Sequence, residues 1–113
     1  MLIKVRDFTD SAFDVSDANM LRERIENALV NEDTVTIDFD GIEFFSGIFF
    51  NFSLMNYAKT YGKSWFDKTF NLVNLNTVGK NAYYNFYYSV LEHPRKFPKD
   101  SEDVLSKILS DID

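Results

Sequence analysis

The stretch from Val35 to Phe50, VTIDFDGIEFFSGIFF, constrains the fold of this chain more than any other. It opens as an alternating strand, with Val35, Ile37 and Phe39 on one side and Thr36, Asp38 and Asp40 on the other. Gly41 supplies the positive φ that a tight reversal needs. Ser46 and Gly47 then stand just ahead of a long apolar helical run, where an N-cap belongs. The pattern is strand, short loop, helix N-terminus. In an open α/β sheet, sites are built at that junction, because the helix start offers unpaired N–H groups and partial positive charge.

The rest of the chain falls into place around it. Met1 to Val5 reads as a short first strand, and Arg6 to Asp14 as a polar loop pinned by Phe8 and Phe13. Ser16 or Asp17 caps a first helix that runs to about Val30, with Ala18, Leu21, Ile25, Ala28 and Leu29 at helical spacing. Thr34 to Phe39 is the second strand. The second helix runs from about Gly47 to Tyr61 and carries two apolar stripes. One is Ile48, Phe52, Met55 and the stem of Lys59; the other is Phe50, Leu54, Tyr57 and Tyr61. Both stripes cannot face one sheet, so the helix is either sandwiched or meets a partner. Gly62 suits the position just past its end, and Lys63 to Lys68 reads as a connection. Thr69 to Leu75 is the third strand, and Asn76 or Thr77 caps a helix from Val78 to Glu92 with core stripe Val78, Ala82, Phe86 and Val90. The order β, α, β, α, β, α favours parallel pairing through right-handed crossovers. Pro94 and Pro98 bracket a linker, and Asp100 to Asp113 carries Val104, Leu105, Ile108, Leu109 and Ile112 in an amphipathic helical pattern.

Charge and cysteine content narrow the function. The net charge is −6, and residues 1–43 hold four basic against eleven acidic side chains. That argues against non-specific nucleic-acid binding. With no cysteine in 113 residues, disulfides, zinc–thiolate centres and thiol catalysis are excluded. The apolar run Ile42 to Met55 is short and broken by polar residues, so no membrane span is expected, and a cytoplasmic location is the simplest expectation. The one histidine, His93, sits at a helix end, where capping is its ordinary role. The four glycines are scattered, so no phosphate-binding loop is formed. Asp38, Asp40 and Glu43, even with Glu32 or Asp33, lack the further oxygen ligands that a hard cation needs. No catalytic, cofactor-binding or metal-binding residue is assigned.

Two groups remain as candidates for interaction. Ser46 is a cap that a phosphate could also occupy, beside Asp38, Asp40 and Glu43. Tyr83, Tyr84, Tyr87 and Tyr88 cannot all be buried on one face of the third helix, Trp65 is unusual in a connection, and tyrosine is frequent in interfaces, so a homodimer or larger assembly through these rings stays open.

The residues Val35-Thr36-Ile37-Asp38-Phe39-Asp40-Gly41-Ile42-Glu43-Phe44-Phe45-Ser46, followed by an apolar helix, resemble the bacterial STAS-like domain family of unknown function. Phe70 to Asn76 and the helix after it are similar to that family too, so the resemblance spans about residues 1–92. It implies an α/β fold with a small sheet of about four strands and helices mainly on one face. The domain would be residues 1–93, with 94–113 as linker and C-terminal helical tail. The wider STAS group includes anti-sigma factor antagonists, whose partner kinase phosphorylates a serine at the start of the helix after the central strand. The resemblance therefore implies a non-enzymatic, regulatory protein–protein interaction module of bacterial or phage origin. It places the surface on Asp38, Asp40, Gly41, Phe44, Ser46 and Gly47, and names an ATPase or kinase of the anti-sigma type as partner. This chain departs from the pattern at the switch, since the modified serine matches Gly47 rather than Ser46. Two other readings stay open on the residues alone: a homo-oligomeric scaffold assembled through its aromatic faces, and a small-ligand or metal binder using the strand-end acids.

Overall fold

The computed structural model describes residues 1–92. Three strands, β1 (Leu2–Lys4), β2 (Val35–Asp38) and β3 (Phe70–Val73), form a parallel sheet in the order β1-β2-β3. Ile3 lies opposite Ile37, and Ile37 opposite Leu72. The expected count of about four strands is not reached among the described residues. The nearest approach is a single bridge between Ala12 and Phe45. β1 passes at once into a 3-10 turn, Val5–Asp7, and the loop after it adds only that isolated bridge to the parallel pairing.

Helix α1 (Val15–Leu29) connects β1 to β2, and α2 (Gly47–Thr69) connects β2 to β3. With the strand order unbroken, right-handed crossovers put both helices on the same face. Ile3, Val5, Val35, Ile37, Phe39 and Phe70 point to that face and are buried. The core is rich in phenylalanine: Phe39, Phe49, Phe50 and Phe66 are fully enclosed. Phe50 meets Phe39, Phe45, Phe49, Phe86 and Tyr83 at ring-centroid distances of 5.2–6.3 Å, within the range of favourable edge and offset contacts.

Helix α1 starts earlier than its pattern suggests. Asp14, not Ser16 or Asp17, is the N-cap, and Asp17 closes a capping box from inside the first turn. Asp17 is only 6% exposed. Its carboxylate accepts from the Thr9 and Ser11 hydroxyls at 2.7 and 2.8 Å and from the Phe13 and Asp14 amides at 3.2 and 3.3 Å. Burial opposes its charge, but these four donors outweigh burial and hold its pKa below the usual carboxylate value. One acid thus fixes the whole loop 9–14 against the helix.

Helix α2 differs from expectation in its second half. Gly62 sits at φ 87°, ψ 173°, a conformation open almost only to glycine, so the backbone turns there. It does not stop, however: the expected connection Lys63 to Lys68 is a further helical segment running to Thr69. Its purpose is Phe66, 1% exposed, which packs on Phe70 and Phe86. Helix α3 (Thr77–Tyr87) begins at an Asn76 cap on the Gly79 amide, 2.8 Å, and passes into a π-helical turn, Tyr88–Glu92. Its buried face is Gly79 and Phe86; Val78, expected in the core, is 53% exposed. Gly79 is required by closeness, since a Cβ there would lie 2.8 Å from the Phe45 ring. His93 and residues 94–113, including the expected linker and tail helix, lie outside the described residues. Among the described residues no helix is long and apolar enough to cross a membrane.

Candidate functional site

The strand–loop–helix junction forms as its residues dictate. Ser46 has extended backbone, φ −146°, and its hydroxyl accepts from the Phe49 amide at 3.2 Å, as an N-cap does. The same hydroxyl donates to the Phe13 carbonyl. The backbone clasp beside it is reciprocal: the Ala12 amide donates to Phe44 at 2.9 Å, and the Ser46 amide to Ala12 at 3.1 Å. Ser46 therefore serves as both cap and loop clamp. A phosphate on it would remove the proton that Phe13 receives and set anionic oxygens against that carbonyl. Its neighbour Gly47 is exposed, and a Cβ added there would meet nothing within 4 Å.

The strand-end acids are tied into turns. Asp38 Oδ1 accepts from Asn74 Nδ2 at 2.8 Å and from the Asp40 amide at 2.9 Å. The Asn74 bond first, then the Asp40 amide and the charge of Lys4, hold the Asp38 carboxyl below its ordinary pKa. Asn74 itself has φ 62°, the left-handed region that asparagine tolerates. Gly41 has φ 84°, its carbonyl accepts from Arg6 at 3.1 Å, and a Cβ there would lie 2.8 Å from the same guanidinium. Asp38, Asp40 and Gly41 thus line one shallow polar depression of about 350 Å³ with Lys4, Arg6 and Asp7. It holds two bases and three acids. Among the described residues no group of three or more acidic or histidine side chains converges as a metal site.

On the other side of the junction the surface is apolar. Phe44 is 64% exposed and lines a groove with Ser11, Phe13 and Asp14. Phe13 is 53% exposed, Ile48 52% and Phe52 50%. Ile48 and Phe52 are one helical turn apart on α2, and Arg22 of α1 reaches the Phe52 carbonyl at 3.5 Å. Of the expected interaction residues, Phe44, Ser46 and Gly47 stand together at this rim, whereas Asp38, Asp40 and Gly41 belong to the polar depression. Phe13 was expected only to pin its loop, yet its ring faces outward; the signal that found Ile48 and Phe52 was their shared helical stripe.

The aromatic set proposed for oligomerisation divides in two. Trp65 packs against Tyr57, Tyr61 and Phe70, and Tyr83 against Phe50, Phe86 and Tyr87. Burial, with the neighbouring Tyr87 and Asp67, pushes the Tyr83 phenol above its usual pKa. Tyr87 donates to Asp67 at 2.6 Å, and Lys63 joins the same carboxylate at 3.2 Å. Tyr87 thus ties α3 to the second half of α2, Tyr83 ties it to the first half, and Trp65 packs within α2 and against β3. Tyr84 and Tyr88 face outward, stacked at 5.9 Å, with Tyr84 60% exposed.

A family model described as a STAS-like domain of unknown function (DUF4325) matches residues 17–80. The chain belongs to this family. The matched part of the STAS-like domain takes in most of α1, β2, the Ser46 junction, all of α2 and β3, and the first turn of α3. No curated protein and no solved structure matches the chain.

Proposed function

We propose that this STAS-like domain is a non-enzymatic protein–protein interaction module with a regulatory role in the cytoplasm of a bacterial or phage-infected cell. The observation that carries the reading is the exposure, half or more, of large apolar side chains about the start of α2: Phe13 and Phe44 in one groove, and Ile48 and Phe52 on one turn of the helix. Monomeric proteins seldom keep such a cluster in water, and aromatic side chains dominate protein interfaces. The polar depression mixes two bases with three acids, which favours a solvated surface over a ligand site. The family resemblance suggests a partner ATPase or kinase of the anti-sigma type. Ser46 acts as a fixed cap in this reading, and binding is controlled without its modification.

A mild pull-down of the tagged chain from its own cells, with intact-mass analysis of the bait, tests this. A stoichiometric protein partner and an unmodified bait are expected. Recovery of the bait alone, self-associated in solution, would replace the reading with the homo-oligomer, for which the outward Tyr84–Tyr88 stack is the available surface.

A further inference from the structure

A second groove runs along α2 between its first half and α3, next to the Ile48–Phe52 stripe, and no part of residues 1–92 fills it. Gly47, Asn51, Met55, Ala82, Phe86 and Val90 line it over about 550 Å³. Phe86 forms a buried floor, while Met55, Ala82 and Val90 are left half-buried. Polar rim groups such as Asn51, Asn85 and Ser89 are uncharged. From Gly47 to Met55 the groove follows α2 for eight residues, about 12 Å at 1.5 Å per residue.

We propose that residues 101–113 occupy this groove in cis as an amphipathic helix, laying Val104, Leu105, Ile108, Leu109 and Ile112 onto Met55, Ala82, Phe86 and Val90. The five apolar side chains fall within an arc of about 140° at the helical turn of 100° per residue. Val104 to Ile112 rises about 12 Å, the same length as the groove. Position favours this occupant: Val90 lines the groove, and the described chain stops two residues later at Glu92. Residues 93–100, with Pro94 and Pro98, span up to roughly 26 Å when extended, enough to begin the helix at either end of the groove. The docked helix would lie beside Gly47 and next to Ile48 and Phe52; its test uses the isolated chain, so it does not depend on the partner-binding reading.

The full chain lacks cysteine, so Ser110→Cys gives a single attachment site on the polar side of the segment for a nitroxide label. In a nitrogen-15-labelled sample, the amides of Asn51, Met55, Ala82 and Ser89 are expected to lose most of their intensity and to regain it on reduction of the label. Adding Ile108→Glu and Leu109→Glu should abolish the effect without disturbing the resonances of β1 to β3. Broadening confined to the neighbours of Glu92, or centred on Phe8 and Phe13, would overturn the proposal. So would broadening that survives the two glutamates. Equal broadening of unlabelled chains mixed with nitroxide-bearing ones would show that a second copy, not the same chain, supplies the helix.

Discussion

Helix α2 has two faces made of the same kinds of residue and put to opposite ends. Phe50 is fully buried at the centre of a ring cluster, and Phe52, two positions on, is 50% exposed. Leu54 is buried, and Ile48 is 52% exposed. Two residues along a helix turn the side chain through about 200°, so the inner stripe closes the core and the outer one cannot reach it. Burying a phenylalanine stabilises a fold by roughly 1.5–3 kcal/mol; leaving one in water contributes little. The inner face is thus explained by folding. The outer face is not, and that difference is what supports the proposed contact surface at Phe44, Ile48 and Phe52.

The comparison can be broken most directly at Phe50. Phe50→Ala should cost about 3–5 kcal/mol, read by chemical denaturation, because five rings lose their common neighbour. Phe52→Ala should change stability by no more than about 0.5 kcal/mol. Similar losses for the two would mean that the outer face is packed and carries no interaction.

A smaller effect separates a saturated polar site from an open one. Asp17→Asn should cost about 2 kcal/mol, because an amide cannot satisfy four donors as a carboxylate does. The Asp17 pKa is lowered in the folded state, so its contribution is present above the ordinary carboxylate pKa and is lost as pH falls through the folded value. The wild-type chain should lose stability on acidification below about pH 4, and the variant should lose less over that window. Equal slopes would show that the loop 9–14 is held by something other than this carboxylate. Smaller still is the bend in α2. Gly62→Ala should cost about 1–2 kcal/mol from backbone strain alone, since no atom lies within 4 Å of the added Cβ. A neutral result would mean that α2 straightens there at no cost.

Much of this was legible in the residues. Alternation placed β2, Ser46 placed the start of α2, and Asn76 placed the start of α3, because period and capping are local signals. Three features were not. The segment Lys63 to Thr69 resumes a helix after a glycine that looks terminal, and only the need to bury Phe66 restores it. Asp14 took the cap of α1 from Ser16 and Asp17 because Thr9 and Ser11, distant in no local pattern, supply donors to Asp17. At the candidate site, Phe44, Ser46 and Gly47 were visible from the junction itself. The part played by Phe13 was not, since its approach depends on the Ala12–Phe45 bridge across 33 residues of chain.

The central claim is that the rim at the start of α2 binds a protein. Gly47→Arg tests it most directly, because no atom of residues 1–92 lies within 4 Å of a Cβ placed there. The measurement is partner recovery in the pull-down, set beside the denaturation curve of the same variant. An unchanged denaturation curve with the partner lost is the predicted result. A folded Gly47→Arg chain that still recovers its partner in full would contradict the account and remove this surface.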